Sequence, residues 1–321
     1  MLRYTAKRIV MIIPIVLGVT LIVFVLLYSL PGSTLDRIPI NRGGDALDSL
    51  FEFFGATPNL ITRYARYCYN VIVYRDFGHT GMTRFIVMMQ FDYRVRNTIL
   101  LLLTGLGAAL AAGIPLGAIA AVRKDRAADR IINSVTLLFS SIPNYALALV
   151  LVLIIAVQLR LMPVLISYTS PKAFIMPTLT ISLGGIASIA RMTRTAMLEV
   201  FDQPYITALR SKGMKQSDVF RHALKNAMVP IISVLGGLIA QLLCGTLAVE
   251  YFFNVPGIGS FMLGSVSSRD HYTLLTCAMI LTIILSITNT LADLLYAVVN
   301  PQIKMQYAKK SKKLYSQEVM E

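Results

Sequence analysis

Apolar residues lie in long blocks separated by shorter segments that carry most of the charge. Six blocks have the roughly 20 apolar residues that a helix needs to cross a bilayer core. They lie at about 9–30, 98–122, 132–157, 173–198, 228–250 and 274–299. The first is too long for the apolar region of a signal peptide, and no small-x-small cleavage site ends it. The pattern predicts an all-α membrane protein with six transmembrane helices, the first of which is retained.

Lysine and arginine are concentrated in alternate segments between these blocks, and this asymmetry sets the orientation. They are dense at the N-terminus, in 123–130, in 199–227 and in the tail 300–321. The segment 31–97 also contains arginines, but long loops are translocated with little regard to charge. We therefore expect both termini in the cytoplasm. The predicted organisation is a cytoplasmic N-terminus with the first helix (1–30), an extracytoplasmic loop (31–97), a five-helix core (98–299) and a basic cytoplasmic tail (300–321). Aromatic residues in the loop suggest short helices that lie against the outer face or a docked partner, and a partly ordered loop is the alternative.

Composition supports a membrane protein and excludes several other classes. Apolar residues make up 56% of the chain and charged residues only 14%, against about a quarter charged in typical soluble domains. The net charge of +14 falls largely between the apolar blocks, as expected for contact with an anionic membrane face and not with nucleic acid. Three cysteines and three histidines lie far apart without metal-ligand spacing, so we expect no metal or cofactor to be bound by this chain.

The segment 199–227 has more local structure than a plain connector needs. Pro204 is suited to open a short helix, and Gly213 is suited to end it with a left-handed turn. Ser217 and Asp218 are candidates to cap a second helix that runs into the fifth span. The sequence predicts a helix, a turn and a helix at the membrane surface, with exposed basic side chains at Arg210, Lys212, Lys215 and Arg221.

This segment resembles the cytoplasmic coupling loop of binding-protein-dependent transport permeases, in their dipeptide and oligopeptide branch. The general family has Glu-Ala-Ala-x-x-x-Gly, and here Thr207 stands at the glutamate position. The residues that match the peptide branch are Tyr205, Thr207, Ala208, Gly213, His222, Leu224 and Asn226. Further matches follow in family order at Pro14, Gly18, Leu30–Gly32, Asp76–Gly78, Ile114–Gly117, Ser141–Pro143, Val255–Gly259, Asp293–Tyr296 and Asn300–Pro301.

The resemblance implies a type I ABC importer permease fold in a prokaryotic cytoplasmic membrane. In that family two permease chains form the pore, and for this chain we expect a hetero-dimer with a second homologous subunit, while a homo-dimer stays open. Two ATP-binding subunits dock on the coupling loops, and an external solute-binding protein delivers the cargo. ATP and Mg²⁺ would bind to the partner ATPase subunits, because this sequence has no Gly-x4-Gly-Lys-[Ser/Thr] phosphate loop.

Charged and polar residues inside the predicted spans need a reason, because burying them in lipid is costly. Arg191 and Arg194 lie on one face of the fourth span, and we expect Asp293 to face the bundle and pair with one of them. Because such arginines can snorkel, a structural role is favoured over a transport role. Glu250, at the outer end of the fifth span, is expected to be solvated.

The third span is interrupted by Ser140, Ser141, Pro143 and Asn144, and the fifth contains Gln241. Ser141, Asn144 and Gln241 are candidates for the translocation pathway, since discontinuous helices line cavities. The alternative is that their side chains bond neighbouring helices. Gly236, Gly237 and Gly245 are expected to let helices approach closely.

Other functions fit less well. A membrane-embedded enzyme would need a nucleophile with a base, paired carboxylates or a metal cluster in the spans. A channel or ion-coupled transporter would usually show internal repeats or several mid-membrane ionisable residues. For cargo, the resemblance favours di- or oligopeptides, and permeases of the same type carry nickel complexes, sugars or other small solutes.

Overall fold

The computed structural model describes residues 2–29, 60–77, 90–162, 174–268 and 270–299, and all regular structure in these residues is helical. The helices are α1 (Leu2–Ser29), α2 (Leu60–Tyr69, continued by a π-helical turn Asn70–Tyr74), α3 (Phe91–Val122), α4 (Ala127–Ser141), α5 (Asn144–Leu151, continued by π-helical Val152–Gln158), α6 (Ile175–Phe201), α7 (Pro204–Ser211), α8 (Gln216–Ser233), α9 (Leu235–Phe252), α10 (Ile258–Ser268) and α11 (His271–Val299).

Five of the described helices are long and apolar enough to cross a membrane, namely α1, α3, α6, α9 and α11. Helix α4 and the segment Asn144–Gln158 pass the same test together but are bent by 107° at the break between them. Counted as one broken span, this pair gives the six spans predicted from the sequence. The interruption lies where it was predicted, because Pro143 has no N–H to continue the hydrogen bonding of α4.

Several predicted boundaries need correction. Helix α3 begins at Phe91 and not at residue 98, so the last part of the predicted loop 31–97 is helical. The predicted fifth span 228–250 is divided, because residues 228–233 complete α8 and the spanning helix α9 starts at Leu235. The polar first turns of α3 explain the first error, since such turns are helical without being apolar, whereas the division at Val234 falls inside an apolar run. Helix α2 is one of the short helices predicted in the loop, while the tail 300–321 and most of the loop lie outside the described residues.

The chain forms two compact units. The first consists of Met1–Ile9, Leu101–Gly245 and Ile287–Glu321, and the second of Val10–Leu100 and Thr246–Ser286.

Within the first unit, α3 and α6 approach so closely that one residue of each facing pair is glycine. A Cβ atom at Gly113 would lie 2.8 Å from Cβ of Ile189, and one at Gly117 would overlap the Ala190 carbonyl oxygen. The facing pairs are Gly105 with Ile181, Ala109 with Gly185, Gly113 with Ile189 and Gly117 with Thr193. Both series advance by four residues in the same direction. The two helices are therefore parallel and meet along a stripe of small residues, a common way of packing helices in membranes.

A pair of glycines on α3 tests this contact. Gly117→Ala should lower the temperature of half-unfolding in mild detergent, because overpacking of a filled interface costs about 1–3 kcal/mol. Gly107→Ala is the matched control on the same helix, since a Cβ there meets no heavy atom within 4 Å. Equal stability of the two variants would contradict the close approach of α3 and α6.

Candidate functional site

Helix α7 is fixed at both ends by backbone geometry. Pro204 occupies its first turn, as predicted, and the Ile206 side chain is fully buried. At the other end Gly213 has φ +77°, a left-handed conformation that favours glycine. The Gly213 N–H donates to the Arg210 carbonyl at 3.0 Å and the Met214 N–H to the Leu209 carbonyl at 3.3 Å. These two bonds form a Schellman motif, so the predicted left-handed turn is confirmed.

The predicted cap of the following helix is wrong. Helix α8 begins at Gln216, its N-cap residue is Lys215, and the Lys215 side chain makes no capping hydrogen bond. Ser217 and Asp218 instead lie in the first helical turn, where the carboxylate of Asp218 interacts favourably with the helix dipole. One face of α8 is buried at every fourth residue, namely at Val219, Ala223, Ala227 and Ile231.

The opposite side of α7 and α8 is exposed and basic. We call it the α7–α8 surface, and it contains all the residues predicted for the coupling loop: Tyr205, Thr207, Ala208, Arg210, Lys212, Gly213, His222 and Asn226. The Asn226 side-chain amide donates to the Tyr205 hydroxyl at 2.5 Å, which ties α8 to α7. Arg221 and Lys225 are also exposed on α8. The arrangement exposes one side of two helices that are held at a defined angle by a turn and a side-chain bond.

The break between α4 and α5 places one of the three residues predicted for a translocation pathway against α9, the helix that carries a second. Asn144 starts α5, and its amide fits against Gly245 of α9 and faces Gly184 of α6. Gln241 is exposed one turn before Gly245 on the same face of α9. Ser141 is exposed at the end of α4, where its hydroxyl donates to the Leu137 carbonyl at 2.8 Å. The pathway role of these residues stays a prediction.

The predicted pairing of Asp293 with Arg191 or Arg194 is wrong. Asp293 pairs instead with Arg8 of α1, at 2.6 Å between Oδ2 and Nη1. Arg194 binds Asp129 of α4 with two parallel bonds of 2.6 and 2.8 Å, and Arg191 donates to the Ser140 hydroxyl at 2.7 Å. Both arginines lie on the face of α6 that packs against α4, which is why α4 supplies their partners.

Asp129 is a buried carboxylate that the sequence analysis missed. Besides Arg194 it accepts bonds from the Asn133 side chain at 2.8 Å and from the Asp125 N–H at 3.0 Å. Bidentate pairing with Arg and two further donors satisfy the charge where it is buried. The sequence offered one indication, since Asp129 stands four residues before Asn133, but it lies in a segment with many basic residues.

Glu250 is fully buried in the second unit and not solvated, which corrects the prediction. Its Oε1 accepts from the Thr98 hydroxyl at 2.7 Å, and its Oε2 accepts from the Gly259 and Ser260 N–H groups at 2.7 and 3.2 Å. Thr98 in turn accepts from the Ile258 N–H at 2.9 Å. The carboxylate therefore caps the N-terminus of α10, where backbone N–H groups lack partners within the helix.

The Val255–Gly259 motif is shaped around this carboxylate. A Cβ atom at Gly257 would overlap the Glu250 carboxylate, and one at Gly259 would lie 2.6 Å from Cα of Leu247. The start of α3 holds the same turn, because the Asn97 amide donates to the Pro256 carbonyl at 3.0 Å. Arg94 lies over the Phe261 ring at 4.1 Å.

Removal of the Glu250 carboxylate should destabilise the protein. Glu250→Ala leaves buried donors unsatisfied, which costs about 1–3 kcal/mol of the free energy of unfolding for each such group. Glu250→Gln keeps one acceptor oxygen and should lose less stability. Gly257→Ala should also be destabilised, whereas Gly264→Ala on α10 is the control, because a Cβ there meets no atom within 4 Å. Thermal unfolding in detergent measures all four variants, and an unchanged Glu250→Ala would contradict the capping role.

Comparisons with known proteins identify the class to which this chain belongs. Residues 113–305 match the family described as "Binding-protein-dependent transport system inner membrane component". The dipeptide transport system permease protein DppB of Bacillus subtilis is 33% identical over 311 residues, which cover 95% of this chain and 99% of that protein. The oligopeptide permease AppB of the same organism is 31% identical over 317 residues (95% and 100%), and the glutathione permease GsiC of Escherichia coli strain K12 is 30% identical over 309 residues (95% and 99%). The chain belongs to this family.

Family membership makes this chain a multi-pass inner-membrane permease, the non-catalytic membrane subunit of an ABC importer. Such importers also contain ATPase subunits and a solute-binding protein. The described helices agree with this class. Five candidate transmembrane helices and one helix pair that forms a broken span make up most of the described residues.

Proposed function

We propose that this chain forms half of the translocation pathway of an ATP-driven importer of di- or oligopeptides. The relatives that match over nearly their whole length are named for dipeptides, oligopeptides and glutathione, which are all peptides. The structural observation that carries the mechanism is the α7–α8 surface, an exposed and rigidly held helix pair. Such a pair suits a groove on a partner protein.

The proposed assembly contains two different permease chains, two ATP-binding subunits on their cytoplasmic side and an external solute-binding protein. ATP and Mg²⁺ bind to the ATP-binding subunits. The lack of a phosphate-binding loop in this sequence supports that division of labour. The basic character of the α7–α8 surface favours a partner whose docking groove is acidic, because complementary charge aligns docking partners.

We place both termini and the α7–α8 surface in the cytoplasm. The ion pair between Arg8 and Asp293 supports the first point, since it joins the beginning of α1 to the end of α11 on one side of the membrane. The exposed basic residues Arg123, Lys124 and Arg126 between α3 and α4 support the same orientation by the positive-inside rule.

A continuous series of packing contacts connects the α7–α8 surface to the break between α4 and α5. The buried face of α8 packs against α6, and α6 contacts both halves of the broken span. On α6, Arg191 binds Ser140 before the break, and Gly184 faces Asn144 after it. We propose that ATP-driven displacement of α8 shifts α6, the closely packed α3 and the broken span as one body, so that Asn144 and Gln241 line a pathway that opens alternately to the two sides.

The turn at Gly213 tests the coupling proposal. Gly213→Val should abolish ATP-dependent uptake in proteoliposomes containing the full importer, because a β-branched residue strongly disfavours positive φ. Gly213→Asn is the matched control and should retain most uptake, since asparagine tolerates the left-handed conformation. Basal ATP hydrolysis should persist in both variants, and normal uptake by Gly213→Val would contradict the role of the turn.

The cargo is tested by purifying this chain from its native membrane in mild detergent and identifying its partners by mass spectrometry. We expect a second permease, ATPase subunits and a solute-binding protein from which peptides can be released. The binding protein should then support uptake of labelled peptide that excess unlabelled peptide inhibits. Recovery of the same partners with a bound sugar or nickel complex would overturn the peptide cargo and retain the importer.

A further inference from the structure

Helix α2 is attached to α1 at a depth that can be read from the contacts of Tyr64. The apolar span of α1 runs from Arg8 to Leu27. The Tyr64 hydroxyl donates to the carbonyl of Leu17, in the middle of that span, at 2.6 Å. The Tyr64 ring lies 5.5 Å from the ring of Phe24, only three residues before the end of the span. At a rise of 1.5 Å per residue, Phe24 lies about 5 Å below the end of the span. The Tyr64 side chain therefore extends along α1 from that level toward the middle of the span.

Two further observations fix this placement. The Thr20 hydroxyl lies 2.8 Å from the Tyr64 hydroxyl, so a second residue of α1 contacts the same phenol. On the same face of α2, Tyr67 is almost fully buried and lies next to Thr276, near the beginning of α11. Helix α2 is thus held against two spanning helices at the level of their apolar residues.

Much of the remaining surface of this segment is exposed and apolar. Its large side chains are between 54% and 75% exposed, and they are Ile61, Tyr69, Ile72, Val73 and Tyr74. The rings of Tyr69 and Tyr74 meet edge-on at 5.7 Å, which joins the helix and the π-helical turn into one surface. Arg63 and Arg66, three residues apart, form a separate basic flank of the helix.

We propose that residues 60–74 form an interfacial membrane element whose apolar side inserts among lipid acyl chains, in the leaflet at the C-terminal end of α1. The inserted side chains are Tyr69, Ile72, Val73 and Tyr74 together with Ile61. Arg63 and Arg66 reach toward the phosphate layer of the same leaflet. An amphipathic helix of this kind buries its apolar face about 5–10 Å below the headgroup boundary, in agreement with the level set by Phe24.

Lipid is favoured as the partner of this apolar surface, because the surface lies at the same depth in the bilayer as an exposed part of α1. Leu21, Ile22, Val25 and Leu26 are 39–62% exposed and belong to the apolar span of α1. A helix that is apolar on all sides is typical of a membrane span, and its outward side chains face acyl chains. Since Tyr64 fixes α2 beside these residues, both exposed surfaces lie in the same medium. The inference does not depend on the cargo.

The sequence contains no tryptophan, so a single introduced tryptophan reports only its own surroundings. The full chain carrying Tyr69→Trp or Ile72→Trp would be reconstituted in vesicles of phosphatidylglycerol and phosphatidylcholine. The phosphatidylcholine would carry bromine near either the ester end or the methyl end of its acyl chains. We expect loss of emission from both variants, with the larger loss from bromine near the ester end.

Two matched variants calibrate the measurement. Ile22→Trp on α1 should be quenched by brominated lipid, and His222→Trp on the α7–α8 surface should be quenched only by acrylamide in water. Acrylamide quenching of both Tyr69→Trp and Ile72→Trp, with no effect of brominated lipid, would overturn the proposal. In the assembled importer, a photoreactive benzoylphenylalanine at residue 69 should crosslink to lipid. Crosslinking to a second permease or to a solute-binding protein would equally overturn it.

Discussion

The contact between α3 and α6 is the constraint from which the arrangement of the first unit follows. Because Gly113 and Gly117 let the two backbones almost touch, α6 cannot shift along or rotate against α3 without a steric clash. The remaining faces of α6 then have fixed directions. One presents Arg191 and Arg194 to α4, and another supports the buried side of α8. A stripe of small residues thus determines where the charged and exposed parts of the unit lie.

The positions where helices start, end or are interrupted were predictable from the sequence. Pro204, Gly213 and Pro143 each act through their own backbone restrictions, and the structure places a helix start, a left-handed turn and a helix break at these residues. The six apolar spans were predictable for a similar reason, since bilayer thickness imposes a minimum length on each helix. Their ends were less accurate, because polar residues begin α3 before its apolar block and α8 extends into the apolar block of the fifth span.

Pairing between distant charges was not predictable, because it depends on which helix faces meet. Asp293 and Arg194 were correctly identified as ionic residues in need of partners, but the partners are Arg8 and Asp129. Glu250 shows the same limit. Its position suggested solvent, yet the turn at Gly257 folds back over its carboxylate. The four-residue spacing of Gly105, Ala109, Gly113 and Gly117 is visible in the sequence, but that spacing alone does not name α6 as the facing helix.

The 107° break in the third span also constrains the order in which the protein can take its final shape. Asn144 rests against Gly184 and Gly245, and both are synthesised after it on the ribosome. When residues 127–158 leave the ribosome, neither neighbour exists to hold the bend, whereas the combined segment is apolar enough to enter the bilayer as a single span. The bend is therefore a late event in biogenesis, which is complete only after α6 and α9 have been inserted.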